Sequence, residues 1–205
     1  MNQETRQELN QILELLQEVS SRSERIAESP QNPSQSSLDA LYEQSTEARR
    51  RLYWVLQNCW ETVLERAKDA GHRDGTGAGE WIAQDYFGGR TKSKAIVPNA
   101  KNFLAMHEEG DPAIYDGLNL SPLAGEYAGD LLPKGLICDV LDLDDGSWDA
   151  LEDFAQDIDL ADSLDALKEQ ICSSYEDSYS NAMMSRLVEI AQGIVDNDNE
   201  NNATK

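Results

Sequence analysis

Residues 38–70 read LDALYEQSTEARRRLYWVLQNCWETVLERAKDA. Apolar or small side chains recur every three or four residues: Leu38, Leu41/Tyr42, Ser45, Ala48, Leu52, Val55/Leu56, Cys59, Val63 and Ala67. Charged and amide residues fill the positions between them, the pattern of a helix with one buried stripe. No proline interrupts the run, and Gly71 closes it after Ala70. The spacing therefore predicts one helix from Leu38 to Ala70, about 50 Å long at about 1.5 Å per residue. Ser36, with Asp39 three residues on, has the form of a loose capping box. Arg49, Arg50 and Arg51 lie mid-helix. Glutamates one turn away make a solvated, ion-paired face the expected reading of this triplet.

On the N-terminal side, ESPQNPSQSS (28–37) breaks the pattern with two prolines and a serine cluster. Before it, Leu9, Ile12, Leu13, Leu16, Val19 and Ile26 predict a helix from Thr5 to Ala27. Two helices joined this way form an antiparallel hairpin, or one arm of a self-associating coiled coil. A lone pair buries little apolar surface, so a homo-oligomer through residues 5–70 is expected.

On the C-terminal side, GHRDGTGAGE (71–80) reads as a flexible glycine-rich connector and a domain boundary. Short helices are then expected over Pro98–Glu109, Leu132–Leu143 and Ser147–Ile158, with Ser147 as an N-cap and Pro133 in a first turn. A long helix is expected over Ser163–Val195. No strand alternation persists for six residues. The fold class is all-α: a helical hairpin (1–71), an acidic helical domain with an irregular central loop (72–195), and a disordered tail (196–205).

The chain carries 39 acidic and 17 basic residues, a formal net charge of −22. Direct nucleic-acid binding and attraction to an anionic membrane both need a basic surface, so both are disfavoured. The charge is uneven. Residues 1–71 are net −4, residues 72–135 net −3, and residues 136–205 net −15. From Asp139 to Asp165 there are eleven acids and no lysine or arginine, interleaved with Leu141, Trp148 and Phe154. Apolar residues at helical spacing fold such a segment, leaving an outer face of carboxylates suited to a basic partner. The candidate partner-binding residues are Asp142, Asp144, Asp145, Asp149, Glu152, Asp153, Asp157 and Asp159.

Other chemistries find little support. Gly75, Gly77 and Gly79 follow a helix and lack the Lys-Ser/Thr of a phosphate loop. In DDGSWDALE (144–152), anchoring Gly146 at position six of a calcium loop leaves Leu141 and Leu143 where the opening ligands belong. Cys59, Cys138 and Cys172 are widely separated and stand in no metal spacing with His72 or His107. No nucleophile elbow or catalytic loop accompanies His72 or Ser121. The reading is a non-enzymatic protein without metal or cofactor. The polar start MNQETRQELNQ and the absence of a long apolar run lead us to expect a cytoplasmic location.

The run GDPAIYDGLNLSPLAGEYAGDLLP (110–133) resembles a Gly-Asp-Pro-Ala…Ser-Pro-Leu-Ser-Gly-Glu-Trp-Ala-Asp pattern of uncharacterised phage and mobile-element proteins. ICSSYEDSYSNAM (171–183) is similar to an acidic Tyr-Glu-Asp helix of the same group. The likeness spans roughly residues 78–190. Ala124, Tyr127 and Gly129 stand where that pattern has Ser, Trp and Asp. The resemblance implies phage or mobile-element ancestry and no particular activity. With the acidic face, it suggests a protein that blocks a host nucleic-acid-binding defence protein, such as a CRISPR effector or a restriction or repair enzyme, by imitating DNA. The alternative is a helical adaptor whose acidity serves solubility.

Overall fold

A computed structural model describes residues 3–28, 33–88, 95–115, 118, 126–157 and 161–203. The protein is all-α, and no strand occurs among the described residues. Among the described residues six helices follow in order: α1 (Gln3–Ala27), α2 (Gln35–Tyr86), α3 (Ile96–Glu109), α4 (Glu126–Leu141), α5 (Asp145–Asp157) and α6 (Ala161–Ala203). A 3-10 turn, Pro112–Tyr115, follows α3. No helix is long and apolar enough, among the described residues, to cross a membrane.

The chain divides into two compact units, Met1–Arg66 with Tyr127–Ile171, and Ala67–Glu126 with Cys172–Lys205. Helices α2 and α6 each contribute to both. This division departs from the expected one. The units are built from segments distant in sequence, because each half of α2 shares its unit with a segment from the C-terminal half of the chain.

In the first unit, α1 and the start of α2 form the expected hairpin. Arg51 Nη1 donates to Gln11 Oε1 at 3.1 Å, and Gln44 Nε2 donates to Glu18 Oε1 at 3.0 Å. Rising positions on one helix meet falling positions on the other, so the two are antiparallel. Leu9, Ile12 and Val19 of α1 are buried with Leu52, Val55, Leu56, Cys59 and Val63 of α2. Ile137 and Leu141 of α4, Trp148 and Leu151 of α5, and Leu164, Leu167 and Ile171 of α6 complete this core.

In the second unit, the expected connector is helix. α2 runs through GHRDGTGAGE without interruption and ends at Tyr86. Gly71, Gly75 and Gly79 are buried there, in line with Ala67 and Ala83 at four-residue steps. A Cβ placed on Gly71 would lie 2.2 Å from the Tyr175 carbonyl oxygen, and one on Gly75 2.2 Å from that of Tyr179. On Gly79 it would lie 2.8 Å from the Met183 carbonyl oxygen. Each glycine thus meets the α6 residue 104 positions on, which makes the two helices parallel here. The glycines allow close backbone approach, as small residues do wherever helices pack tightly.

Polar contacts flank this seam. Tyr175 Oη donates to Asp74 Oδ2 at 2.9 Å, and Arg186 Nη2 donates to Glu80 Oε1 at 2.7 Å. At the end of α2, Tyr86 and Phe87 meet Phe103 of α3 edge to face, with centroids 5.9 and 5.4 Å apart.

Several helix ends differ from expectation. Ser34, not Ser36, caps α2, its Oγ accepting from the Ser37 N–H at 3.2 Å. α4 begins at Glu126, leaving Pro133 inside the helix, where it removes one backbone N–H donor. α6 continues through residues 196–203, expected as a disordered tail. Its amides and aspartates pair one turn apart, as in Gln192 Nε2 to Asp196 Oδ1 at 2.9 Å and Asn202 Nδ2 to Asp198 Oδ1 at 3.2 Å. Ser121, Pro122 and Gly125 of the central loop lie outside the described residues.

Candidate acidic surface

The acidic segment occupies the end of α4, the turn after it, α5 and the start of α6, all in the first unit. Leu141 ends α4, and Asp142 follows in the left-handed region with φ 56°, which aspartate tolerates better than most side chains. Asp144 then caps α5. Its Oδ1 accepts from the Ser147 backbone N–H at 2.7 Å, and hydrogen bonds from Ser147 hold its carboxyl below the usual range. Ser147 was the expected N-cap. It lies inside the first turn, because the acceptor its N–H requires comes from three residues earlier.

On α5, Trp148 and Leu151 point inward and are 1% and 0% exposed. Glu152 sits at the rim of that buried face. Its Oε2 accepts from Trp148 Nε1 at 3.2 Å, and its Oε1 pairs with Lys168 of α6. The Lys168 ammonium also lies 5.8 Å from the centre of the Trp148 ring. Asp149 is exposed and accepts from Lys134 of α4 at 3.1 Å. Asp153 is exposed and lines a shallow cleft between α5 and α1 with Gln17, Ser20, Glu24, Asp144 and Ser147.

The eight candidates therefore play different parts. Asp142 and Asp144 shape the α4–α5 turn, Glu152 braces α5 against α6, and Asp149 and Asp153 form the outward face. The side chains of Asp145 and Asp157, and all of Asp159, lie outside the described residues. Asp139, Asp162, Asp165 and Glu169 are exposed in the same unit, although sequence reading did not single them out. From residue 127 to 171 there are 13 acids against two lysines, Lys134 and Lys168. Both lysines are held by carboxylates of this segment.

Among the described residues, no three His, Cys, Asp or Glu side chains converge as a metal site. Cys59 is buried, and desolvation pushes its thiol up to about 11, where it is protonated and inert at neutral pH. Its Sγ–H donates to the Leu56 carbonyl. Two of the three arginines pair with a glutamate one turn away as expected: Arg50 and Arg51 both donate to Glu47, at 2.9 and 2.8 Å. These hydrogen bonds hold the Glu47 carboxyl down at about 2. No protein-family model, no curated protein and no solved structure matches the chain.

Proposed function

We propose that the protein is a non-enzymatic acidic binder, encoded by a phage or plasmid, that occupies the nucleic-acid groove of a basic host defence protein. The observation that carries this reading is the charge balance of residues 127–171. Their two lysines are engaged by Asp149, Glu152 and Asp165, while Asp139, Asp153, Asp162 and Glu169 are exposed as well. Helices of one unit carry these carboxylates, and a lysine- and arginine-lined groove would relieve their mutual repulsion.

The test replaces Asp139, Asp153, Asp162 and Asp165 with asparagine, leaving Asp144 and Glu152 to hold the fold. A host protein captured by the native chain should bind the variant more weakly, mainly through slower association. Added duplex DNA should displace the native chain from it. Capture that is insensitive to salt, to DNA and to the four substitutions overturns this function and favours the helical adaptor.

A further inference from the structure

The first unit carries a second cleft, between α2 and the start of α6, which shares no residue with the α1–α5 cleft that Asp153 lines. Its volume is about 680 Å³. Tyr53, Gln57 and Trp60 line it from α2 at steps of four and three, so they fall within about 60° of one another on a single helix face. Buried Leu56 forms the floor, and exposed Glu61 of α2 and Asp162 of α6 border it, one from each helix. Trp60 is half-buried and tied across to α6, its Nε1 donating to Gln170 Oε1 at 3.0 Å. Tyr53, two turns before it, is 46% exposed, open surface of the kind that marks a contact site when it is rimmed by polar groups.

The charge of the cleft says what it takes. No lysine, arginine or histidine lines it, and among the described residues neither Glu61 nor Asp162 accepts a hydrogen bond or an ion pair. The nearest cations in sequence are already held: Arg50 and Arg51 by Glu47, and Lys168 by Glu152. An anion would be repelled here, and an apolar group would strip water from two carboxylates without replacing it. A cation supplies the missing counter-charge, and aromatic rings attract cations to their faces. Of the two cationic side chains, arginine fits both features. Its planar guanidinium stacks on an aromatic ring while its N–H fork donates to carboxylates, whereas the lysine ammonium carries the charge without the plane. We infer that this cleft is an anchor for an arginine side chain of a basic polypeptide, stacked on Tyr53 and Trp60 and paired with Glu61 and Asp162. The inference deepens the proposed function and rests on it for the partner being a basic protein. Long-range charge draws that partner in, and the cleft selects arginine over lysine.

Calorimetric titration of the full chain with hexa-arginine and hexa-lysine, peptides of equal charge, tests it. The native chain should bind hexa-arginine about tenfold more tightly, the scale of stacking a cation on two rings. Tyr53→Ala should remove most of that preference, and Asp162→Asn should weaken hexa-arginine more than hexa-lysine. Asp153→Asn, which takes the same charge from α5, should weaken both alike and leave the preference intact. The Trp60 indole N–H resonance, assigned with Trp60→Phe, should move on adding hexa-arginine. That of Trp81, 71% exposed in the second unit, should not. The resonance decides the matter in the native chain even if a variant unfolds. Equal affinity for the two peptides, a preference untouched by Tyr53→Ala, or equal shifts at Trp60 and Trp81 overturns the anchor and leaves the general attraction of the acidic surface standing. So does a Trp60 resonance that moves with protein concentration and not with peptide, the sign that a second copy fills the cleft. An arginine preference localised at Trp60, in a chain that captures no basic host protein, would sustain the anchor and remove the proposed function.

Discussion

Gly75 and Gly77 are two residues apart on the same helix, yet they answer to different physics. Glycine in a helix interior is destabilising by about 1 kcal/mol relative to alanine. At Gly77 nothing lies within 4 Å of a built Cβ, so Gly77→Ala should stabilise the protein by up to about 1 kcal/mol. At Gly75 the Cβ would lie 2.2 Å from the Tyr179 carbonyl oxygen, a backbone atom that retreats only if α6 moves. Gly75→Ala should therefore cost about 3 kcal/mol, the upper part of the overpacking range. Urea unfolding of the two variants beside the native chain measures both. Equal effects of the two substitutions would contradict the close parallel seam.

At the scale of the element, α5 shows why acids adjacent in sequence need not share a role. Trp148 is fully buried, and its indole N–H requires an acceptor; Glu152, one turn on, supplies it while pairing with Lys168. Asp153 is the next residue but projects from the opposite side of the buried stripe. Glu152→Gln should lower the melting temperature, because it removes the charge that holds Lys168 over the Trp148 ring. Asp153→Asn should leave it unchanged or raise it slightly through reduced repulsion. Thermal melts of the pair at neutral pH discriminate the two. A larger loss for Asp153→Asn would mean that the outer face, not the Trp148 brace, secures α5.

For the whole molecule, the net charge of −22 sets how stability depends on pH and salt. Lowering the pH from 8 toward 5 reduces repulsion among 39 acids, so the melting temperature should rise over that interval, as it should with added salt. Two limits close the window. Glu47 is held near 2 by hydrogen bonds from Arg50 and Arg51. Its contribution is complete above the unfolded carboxylate range and is lost as the pH falls through that range toward 2. Tyr175 is raised, first by burial and then by the hydrogen bond to Asp74. Its contribution is complete below the unfolded phenol value and is lost as the pH rises above about 10. Scanning melts from pH 3 to 11 should therefore peak in mildly acid buffer. A maximum near pH 8, with no response to salt, would contradict this balance.

The sequence by itself determined the all-α class, the two N-terminal amphipathic helices and the clustering of charge in the last third. Each is carried by local periodicity or by counting. Contacts such as Arg51 with Gln11 chose the antiparallel hairpin over a self-associating arm. The inner stripe from Leu52 through Val63 is legible because one helix face repeats its own pattern, and the Arg50–Glu47 pair because its partners are one turn apart. Tertiary structure alone decided the rest. GHRDGTGAGE reads as a break when only its glycines are weighed, since glycine has poor helix propensity. Its fate depended on Tyr175 and Tyr179, about a hundred residues away, whose backbone needs the space that a missing Cβ leaves. The four-residue recurrence of Ala67, Gly71, Gly75, Gly79 and Ala83 was the available signal, but its meaning required knowing that α6 lies against it. The same holds for the acids. Spacing placed them on helices, and only packing separated those that cap a turn or brace a tryptophan from those that face outward, because a carboxylate's role is set by the donors brought to it.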